Sequence, residues 1–170
     1  MKNRGQHLLV FFILGSSLIV AQPEFLVCQS KHLSTDELSK QAEVVAVGKV
    51  SDVKSQWDKN KSRIVTQVTM AVGEYLKGNA GGLMTITTLG GEVDGVGEWY
   101  SHSPRFKNAE DVVVFAKRDK QGRYRIAGGH EGKFSVKKDA VSGKQVVGEY
   151  GSLDDFKSQI RKSVQAIQGN

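Results

Sequence analysis

The sequence predicts a mainly β domain, a small antiparallel OB-like β-barrel of five to seven strands with a short N-terminal helix and a C-terminal amphipathic helix. Runs of β-branched residues recur at roughly even spacing between residues 44 and 147, and helix signals occur only near the two ends. Glycine is abundant, at 19 of 170 residues, whereas proline occurs only twice. Short, evenly spaced strands joined by glycine-rich turns are typical of barrels and sandwiches. An open α+β sheet with helices on one face is the alternative.

The predicted barrel domain spans residues 33–150 and opens with a short helix. Ser34 and Glu37 have the spacing of a capping box, and Leu33 and Leu38 have that of a hydrophobic staple. Strands are then predicted over 44–53, 64–76 and 83–89. The second strand is long enough to require strong curvature or a bulge near Gly73. Its predicted common face carries Val68, Met70, Val72, Glu74 and Leu76.

The second half of the barrel domain begins with a glycine-rich stretch, 90–104, that has no hydrophobic period. Glycines here permit positive φ and close approach of the backbone. Short strands are predicted beyond it, over 112–116, 124–127, 134–136 and 145–147.

Residues 151–170 are predicted to form the C-terminal helix, which Ser152 opens. Isolated amphipathic helices usually pack on their own domain, so we expect this helix to dock on the barrel rather than on a partner. Its apolar stripe consists of Leu153, Phe156, Ile160, Val164 and Ile167.

Residues 1–21 have the pattern of a signal peptide. Two cationic residues precede an uncharged apolar run of 13 residues, 8–20, and Ala21 offers a small residue at the cut. A membrane anchor is the alternative, but a spanning helix needs about 20 apolar residues, and polar residues end this run earlier. We therefore expect export to the periplasm or the medium, with residues 22–32 as an N-terminal extension. No stable membrane span is expected after cleavage.

Cys28 is the only cysteine of the chain, which excludes an intramolecular disulfide and a cysteine-rich zinc site. A bacterial lipoprotein signal places a small residue directly before its cysteine, and Val27 argues against such a lipid anchor. Signal cleavage near Cys28 is the alternative to cleavage after Ala21.

The charge pattern argues against a nucleic acid partner. The formal net charge of +6 falls to +4 when the predicted leader, with two cationic and no acidic residues, is removed. Lysine and arginine are also spread along the chain rather than clustered, unlike the basic stripe of a nucleic-acid-binding surface.

Several segments, taken in order, carry a resemblance to known proteins. They are 33–58, VTMAVGEYLKG at 68–78, Ser103-Pro104-Arg105-Phe106, 110–115 and Gly132-Lys133-Phe134. Together they resemble a family of uncharacterised, exported, β-rich bacterial proteins. This family is similar in outline to the netrin-like modules, which include the tissue inhibitors of metalloproteinases, a likeness of fold that carries little functional weight. The inhibitors use a disulfide-held N-terminal cysteine, and Cys28 has no partner thiol, so no inhibitory residue is carried over.

Metal, cofactor and nucleophile patterns are weak. His102 and His130 are the metal candidates, because the glycine loop would bring them together if it folded over the later hairpin. A zinc site needs three or four converging ligands, and no HExxH, HxH or CxxC spacing occurs. Ser101 and Ser103 flank His102, but neighbours in an extended chain point to opposite sides. We expect no metal site, no cofactor and no catalytic residue.

Aromatic residues around the glycine loop are the binding candidates. Trp99 and Tyr100 lie at its end, Phe106 follows, and Trp57 in an earlier turn is predicted to join them. Exposed aromatic side chains are common anchors of contact surfaces, although Phe106 is also suited to plugging the barrel.

The sequence thus favours an exported, non-enzymatic binding module that contacts a protein or an envelope polymer through the glycine-rich loop 90–106. One alternative is an inhibitor or accessory partner of a secreted protease, which rests on the fold likeness alone. The other alternative is a hydrolase with an unrecognised site.

Overall fold

The computed structural model describes residues 32–169. The predicted signal peptide, most of the predicted extension and Cys28 lie outside the described residues. The elements are α1 (Thr35–Gln41), β1 (Val44–Trp57), β2 (Ile64–Lys77), β3 (Leu83–Leu89), β4 (Gly91–Val93), β5 (Val96–Glu98), β6 (Asp111–Arg118), β7 (Tyr124–Ile126), β8 (Lys133–Lys138), β9 (Gln145–Val146) and α2 (Leu153–Gln168).

Five strands close into a barrel. They follow the order β1-β2-β3-β7-β6, and β6 pairs back onto β1. All pairs are antiparallel except β3 with β7. β7 pairs with the end of β6, at residues 116–118, and β8 pairs with its beginning, at residues 111–114. β9 pairs with β8. The predicted OB-like barrel is confirmed. The open-sheet alternative is wrong, because β6, the last strand in the barrel order, pairs with β1.

The barrel interior is a continuous apolar core. The β-branched residues that predicted the strands supply most of it, because alternate residues of a strand face the same side. Its fully or almost fully buried members are Val44, Ala46, Val50, Val68, Met70, Met84, Ile86, Val112, Val114, Ala116 and Ile126.

The β1–β2 ribbon has three register shifts, and those at Gly73 and Ser51 change which residues face this interior. Val47 pairs with Glu74 and Gly48 with Val72, so Gly73 is an extra residue in β2. The bulge expected near Gly73 is confirmed, but the expected common face is wrong. Val68 and Met70 lie inside the barrel, whereas Leu76 packs in a second core on its outside. One inserted residue reverses the alternation beyond it. Ser51 is a similar extra residue in β1.

α1 begins as predicted. The side chain of Ser34 accepts a hydrogen bond from the Glu37 amide at 3.2 Å, and Glu37 Oε2 accepts one from the Ser34 amide at 2.9 Å. Lys77 Nζ, from the end of β2, donates to the Ser39 and Ala42 carbonyls at the other end of the helix. Each helix end therefore has partners for some of the backbone groups that the helix itself leaves unpaired.

α2 packs over the outside of the barrel and against α1. Ser152 caps it by accepting from the Asp155 amide at 3.1 Å. Four of the five predicted stripe residues are buried, and Ile167 is half-buried. Glu74 of β2 also forms ion pairs with Lys157 and Arg161 of the helix. The outer core contains Leu38, Ala42, Val45, Leu76, Val113, Phe115, Ala127, Val136, Val147, Leu153, Phe156, Ile160 and Val164.

Among residues 32–169, neither helix is long and apolar enough to cross a membrane.

Candidate functional site

The glycine-rich stretch contains a short hairpin. It was not predicted, because this stretch has no hydrophobic period. β4 and β5 pair antiparallel, with Val93 opposite Val96. The two turn residues, Asp94 and Gly95, have φ of 52° and 78°. Two successive positive φ angles define the tight turn that matches strand twist, and Asp-Gly is a preferred pair for it. The turn residues Asp94 and Gly95 therefore favour this hairpin locally.

The base of this hairpin is anchored to the barrel through close backbone contacts. Thr66 Oγ1 donates to the Gly90 carbonyl at 2.6 Å and lies 2.8 Å from Ser55 Oγ. The Gly90 amide donates to the Ile64 carbonyl at 2.8 Å. A Cβ on Gly91 would collide with Ser55 and Thr66, and its φ of 136° also favours glycine. Glycine is thus required here for close approach to the β1–β2 ribbon.

Glu98, which pairs with Gly91, fixes the second strand at the base of the hairpin. Its Oε2 accepts a hydrogen bond from the Ile64 amide at 2.9 Å and another from the Tyr100 hydroxyl at 3.2 Å. One carboxylate therefore ties the first residue of β2 to the aromatic pair that follows β5.

Trp99 and Tyr100 are presented to solvent at the end of the loop, with 60% and 42% of their surface exposed. The Arg105 guanidinium lies 4.2 Å from the centroid of the Trp99 ring, a cation–π contact. With Phe106, these residues line a cavity of about 270 Å³, which we call the loop cavity. The structure thus brings three of the four predicted aromatic residues together.

Phe106 has a double position. It lines the loop cavity but also packs against the barrel interior. The Lys133 ammonium lies 5.4 Å from its ring centroid. Phe106 is half-buried and supplies apolar surface to both the barrel interior and the loop cavity.

Trp57 does not join the other aromatic residues. It is the last residue of β1, half-buried, and lines a separate cavity with residues of the β1–β2 and β6–β7 turns. Leu89 lies on the rims of both cavities. The sequence order of the loops does not show this separation, because it depends on which face of β2 and β3 each cavity covers. Thr66 and Thr88 line the loop cavity, whereas the alternate residues Val65 and Thr87 line the other one.

His102 and His130 do meet. Their rings stack with centroids 5.9 Å apart, and the His130 amide donates to the His102 carbonyl at 2.9 Å. The neighbouring Glu131 instead faces His32, with Oε1 3.1 Å from Nδ1. Across the described part of the chain, no three His, Cys, Asp or Glu side chains converge on a possible metal position. The contact fastens the loop to the turn before β8.

A polar cluster that the sequence reasoning missed lies beside Phe106. Glu110 Oε1 accepts from Lys133 Nζ at 2.5 Å and from Ser135 Oγ at 2.6 Å, and Lys133 Nζ donates to Ser135 Oγ at 2.9 Å. Lys133 and Ser135 are two residues apart on β8 and so share a face. This alternation was the only signal in the sequence that could have suggested the cluster.

The contacts of this cluster determine the charge of Glu110. Burial alone raises the pKa of the Glu110 carboxyl, but hydrogen bonds from Lys133, Ser135 and the Lys107 amide outweigh it, and the pKa lies below its usual value. The carboxylate is therefore ionised at neutral pH. Lys133 donates to the Ser135 oxygen, and the Ser135 hydroxyl in turn donates to Glu110. The cluster joins β8 to the segment that enters β6.

Comparison of the sequence with protein-family models and with curated proteins gives no match.

Proposed function

We propose that this chain is an exported, non-enzymatic binding module that contacts a protein or an envelope polymer through the loop 90–106. The observation that carries the proposal is the presentation of Trp99. A large aromatic ring, 60% exposed, lies on a loop whose position is fixed at several points.

The rigidity of the loop supports a contact role. Hydrogen bonds from Thr66, Ser103 and His130 hold it to three parts of the barrel. Binding then orders few side chains, which lowers the entropic cost of association. Aromatic residues and arginine are also the residue types enriched in contact hot spots.

The surroundings of the ring support a ligand with both apolar and polar groups. Arg105 covers Trp99, and Glu92 and Lys107 lie around the same cavity. The cavity, about 270 Å³, is smaller than the usual range of about 300–1,000 Å³ for an enclosed small molecule. A surface contact with a larger partner fits this geometry better than complete enclosure of a metabolite.

The test is a binding comparison on the processed protein. The full chain, expressed with its own leader and carrying a C-terminal tag, is recovered from the exported fraction, and N-terminal sequencing identifies the cut. It is then crosslinked to envelope fractions and to culture medium. We expect Trp99→Ala with Tyr100→Ala to reduce the captured material at least fivefold, since both exposed rings are removed.

Leu83→Ala is the matched control, because Leu83 is 65% exposed at the start of β3 and does not line the loop cavity. We expect it to capture as much as the unchanged protein. Equal capture by the double variant and by the control would contradict the proposed role of the loop. Recovery of the unprocessed chain from the cell interior would contradict export.

A further inference from the structure

The cavity that holds Trp57 is a second concave surface, on the outside of the barrel. It has a volume of about 780 Å³. The outward-facing residues of β2 and β3 form its floor, and the turns after β1 and after β6 form its walls. We call it the arginine cavity, and its lining includes Trp57, Lys59, Arg63, Gln121, Arg123 and Arg125.

Positive charge exceeds negative charge in the arginine cavity. Three arginines and Lys59 line it, and the carboxylates beside them are Asp58 and Asp119. Burial alone raises the pKa of the Asp119 carboxyl, but hydrogen bonds from Arg123, Arg125 and the Gln121 amide hold it well below its usual range. Two positive charges therefore remain uncompensated at neutral pH.

The guanidinium groups are positioned before any ligand arrives. Asp119 Oδ2 lies 2.8 Å from Arg123 Nη2 and 3.2 Å from Arg125 Nε, and Arg125 Nη1 donates to the Thr87 carbonyl at 3.2 Å. Each guanidinium has five N–H donors, so these contacts leave donors for an anion. Arg63, whose side chain is 53% exposed, forms a 3.8 Å ion pair with Asp58 and no other ion pair among residues 32–169.

The neutral residues of the cavity match a sugar. Four amide side chains, each both a donor and an acceptor, can pair with hydroxyl groups, and Trp57 offers an apolar ring face with a polar N–H. The volume lies within the range of organic ligand sites and exceeds what an inorganic ion needs. The amides belong to Gln56, Asn60, Gln67 and Gln121.

We propose that the arginine cavity binds an anionic saccharide, with the guanidinium groups on its carboxylate or sulfate groups and Trp57 against the sugar ring. Five-stranded barrels bind oligosaccharides and oligonucleotides on corresponding strands and loops, which is an analogy of fold. A single tryptophan gives one stacking platform, whereas single-stranded nucleic acid binding uses several. The inference does not depend on the loop cavity, because neither Trp99 nor Tyr100 lines this site.

The experiment uses the two tryptophans of the chain as reporters. Trp57 and Trp99 are the only ones, so the Trp99→Ala, Tyr100→Ala variant leaves Trp57 emission as the sole tryptophan signal. This variant is titrated with polygalacturonate, heparin, neutral dextran and an oligothymidylate of matched charge. We expect an emission shift and saturable binding with polygalacturonate or heparin, and the stronger of the two identifies carboxylate or sulfate as the preferred anion.

Arg63→Gln in the otherwise unchanged protein is expected to raise the dissociation constant of the saccharide, measured by calorimetry, at least fivefold. Lys162→Gln removes the same charge from an exposed position of α2 and is expected to change it less than twofold. Trp57→Phe keeps an aromatic ring and retains most of the affinity, whereas Trp57→Ala loses at least fivefold.

Equal weakening by the two charge variants would overturn the proposal, as would dextran binding as tight as that of the acidic polymers. Tighter binding of the oligothymidylate would assign the cavity to nucleic acid instead. If the Trp99→Ala, Tyr100→Ala variant loses capture but still binds polygalacturonate as tightly as the unchanged protein, the two sites bind independently, as proposed. Absence of polygalacturonate and heparin binding would refute the arginine cavity and leave the loop proposal intact.

Discussion

Replacement of Lys133 by methionine tests whether the Glu110 cluster is structural. The side chains of Lys133 and Glu110 are only 12% and 16% exposed, and the substitution leaves the carboxylate without its cation. Removal of one partner from a well-buried pair costs about 3–5 kcal/mol. Methionine keeps the length of the apolar stem, so the change is confined largely to the charge and its hydrogen bonds.

The cost has an upper limit that the carboxyl itself sets. The stranded Glu110 can take up a proton, and at pH 7 this costs about 3.4 kcal/mol relative to its ordinary pKa of 4.5. Ser135 also continues to donate to it. Because both side chains keep some contact with water, which screens the pair, we expect a loss of about 1.5–3 kcal/mol in the free energy of unfolding.

The pH dependence separates this explanation from a simple packing defect. In the unchanged protein the pKa of Glu110 is lowered, so its stabilisation is present above pH 4.5 and is lost as pH falls through the lower folded-state value. In Lys133→Met, burial still acts but the cation no longer opposes it, so the pKa of Glu110 is higher than in the unchanged protein. The difference in stability is therefore largest near pH 7 and shrinks towards pH 4.

The measurement is urea unfolding, followed by circular dichroism at pH 7 and pH 4.5. Glu110→Gln combined with Lys133→Met removes both charges, and we expect it to recover at least half of the loss. Lys137→Met, on an exposed position of β8, is the control and is expected to stay within about 0.5 kcal/mol. A pH-independent loss, or a double variant no more stable than the single one, would refute the ion-pair explanation.

Two further substitutions test the helix layer by the same unfolding measurement. Phe156→Ala removes a fully buried ring whose centroid lies 4.9 Å from that of Phe134, and it should lower the free energy of unfolding by about 3–5 kcal/mol. The control Gln165→Ala, at an exposed position, should lower it by less than about 0.5 kcal/mol. Equal effects would contradict the docking of α2. Ser39 is buried, and its hydroxyl is without a hydrogen-bond partner among residues 32–169, so Ser39→Ala should leave stability unchanged or raise it. A loss above about 1 kcal/mol would show that Ser39 has a partner.

The parts of the fold that local interactions determine were predictable from the sequence. The Ser34–Glu37 capping box and the start of α2 at Ser152 involve residues three positions apart, and both are present. Most barrel strands were predicted for the same reason, since period-two alternation is local. The β4–β5 hairpin was missed because three-residue strands show no period, although Asp94-Gly95 carried its turn signal.

Features that depend on strand register were not predictable. The bulge at Gly73 was expected, but its effect on Leu76 depends on which β1 residue pairs with which β2 residue. The grouping of Trp57 with Trp99 failed for a similar reason. The arginine cavity unites the turn that carries Arg63 with the turn that carries Arg123, and only barrel closure brings these turns together.

The bulge at Gly73 also explains why the barrel has both a covered and an uncovered outer surface. Before it, the outward positions of β2 include Val65 and Gln67, which line the arginine cavity. Beyond it, Glu74 pairs with α2 and Leu76 enters the core beneath the helices. A single strand thus supplies a solvent-facing floor at one end and a helix-packing surface at the other.

Because the helices and the candidate cavities use different parts of the barrel surface, we expect stability and binding to respond to different substitutions. α2 covers the half of the ribbon beyond the bulge, whereas neither candidate cavity is lined by a residue of α1 or α2. Substitutions in the helix layer should therefore lower the unfolding free energy while ligand affinity, measured on the folded fraction, stays the same. Affinity that fell in parallel with stability in Phe156→Ala would mean that the cavities depend on helix packing, and the barrel could then not be treated as a rigid support for either site.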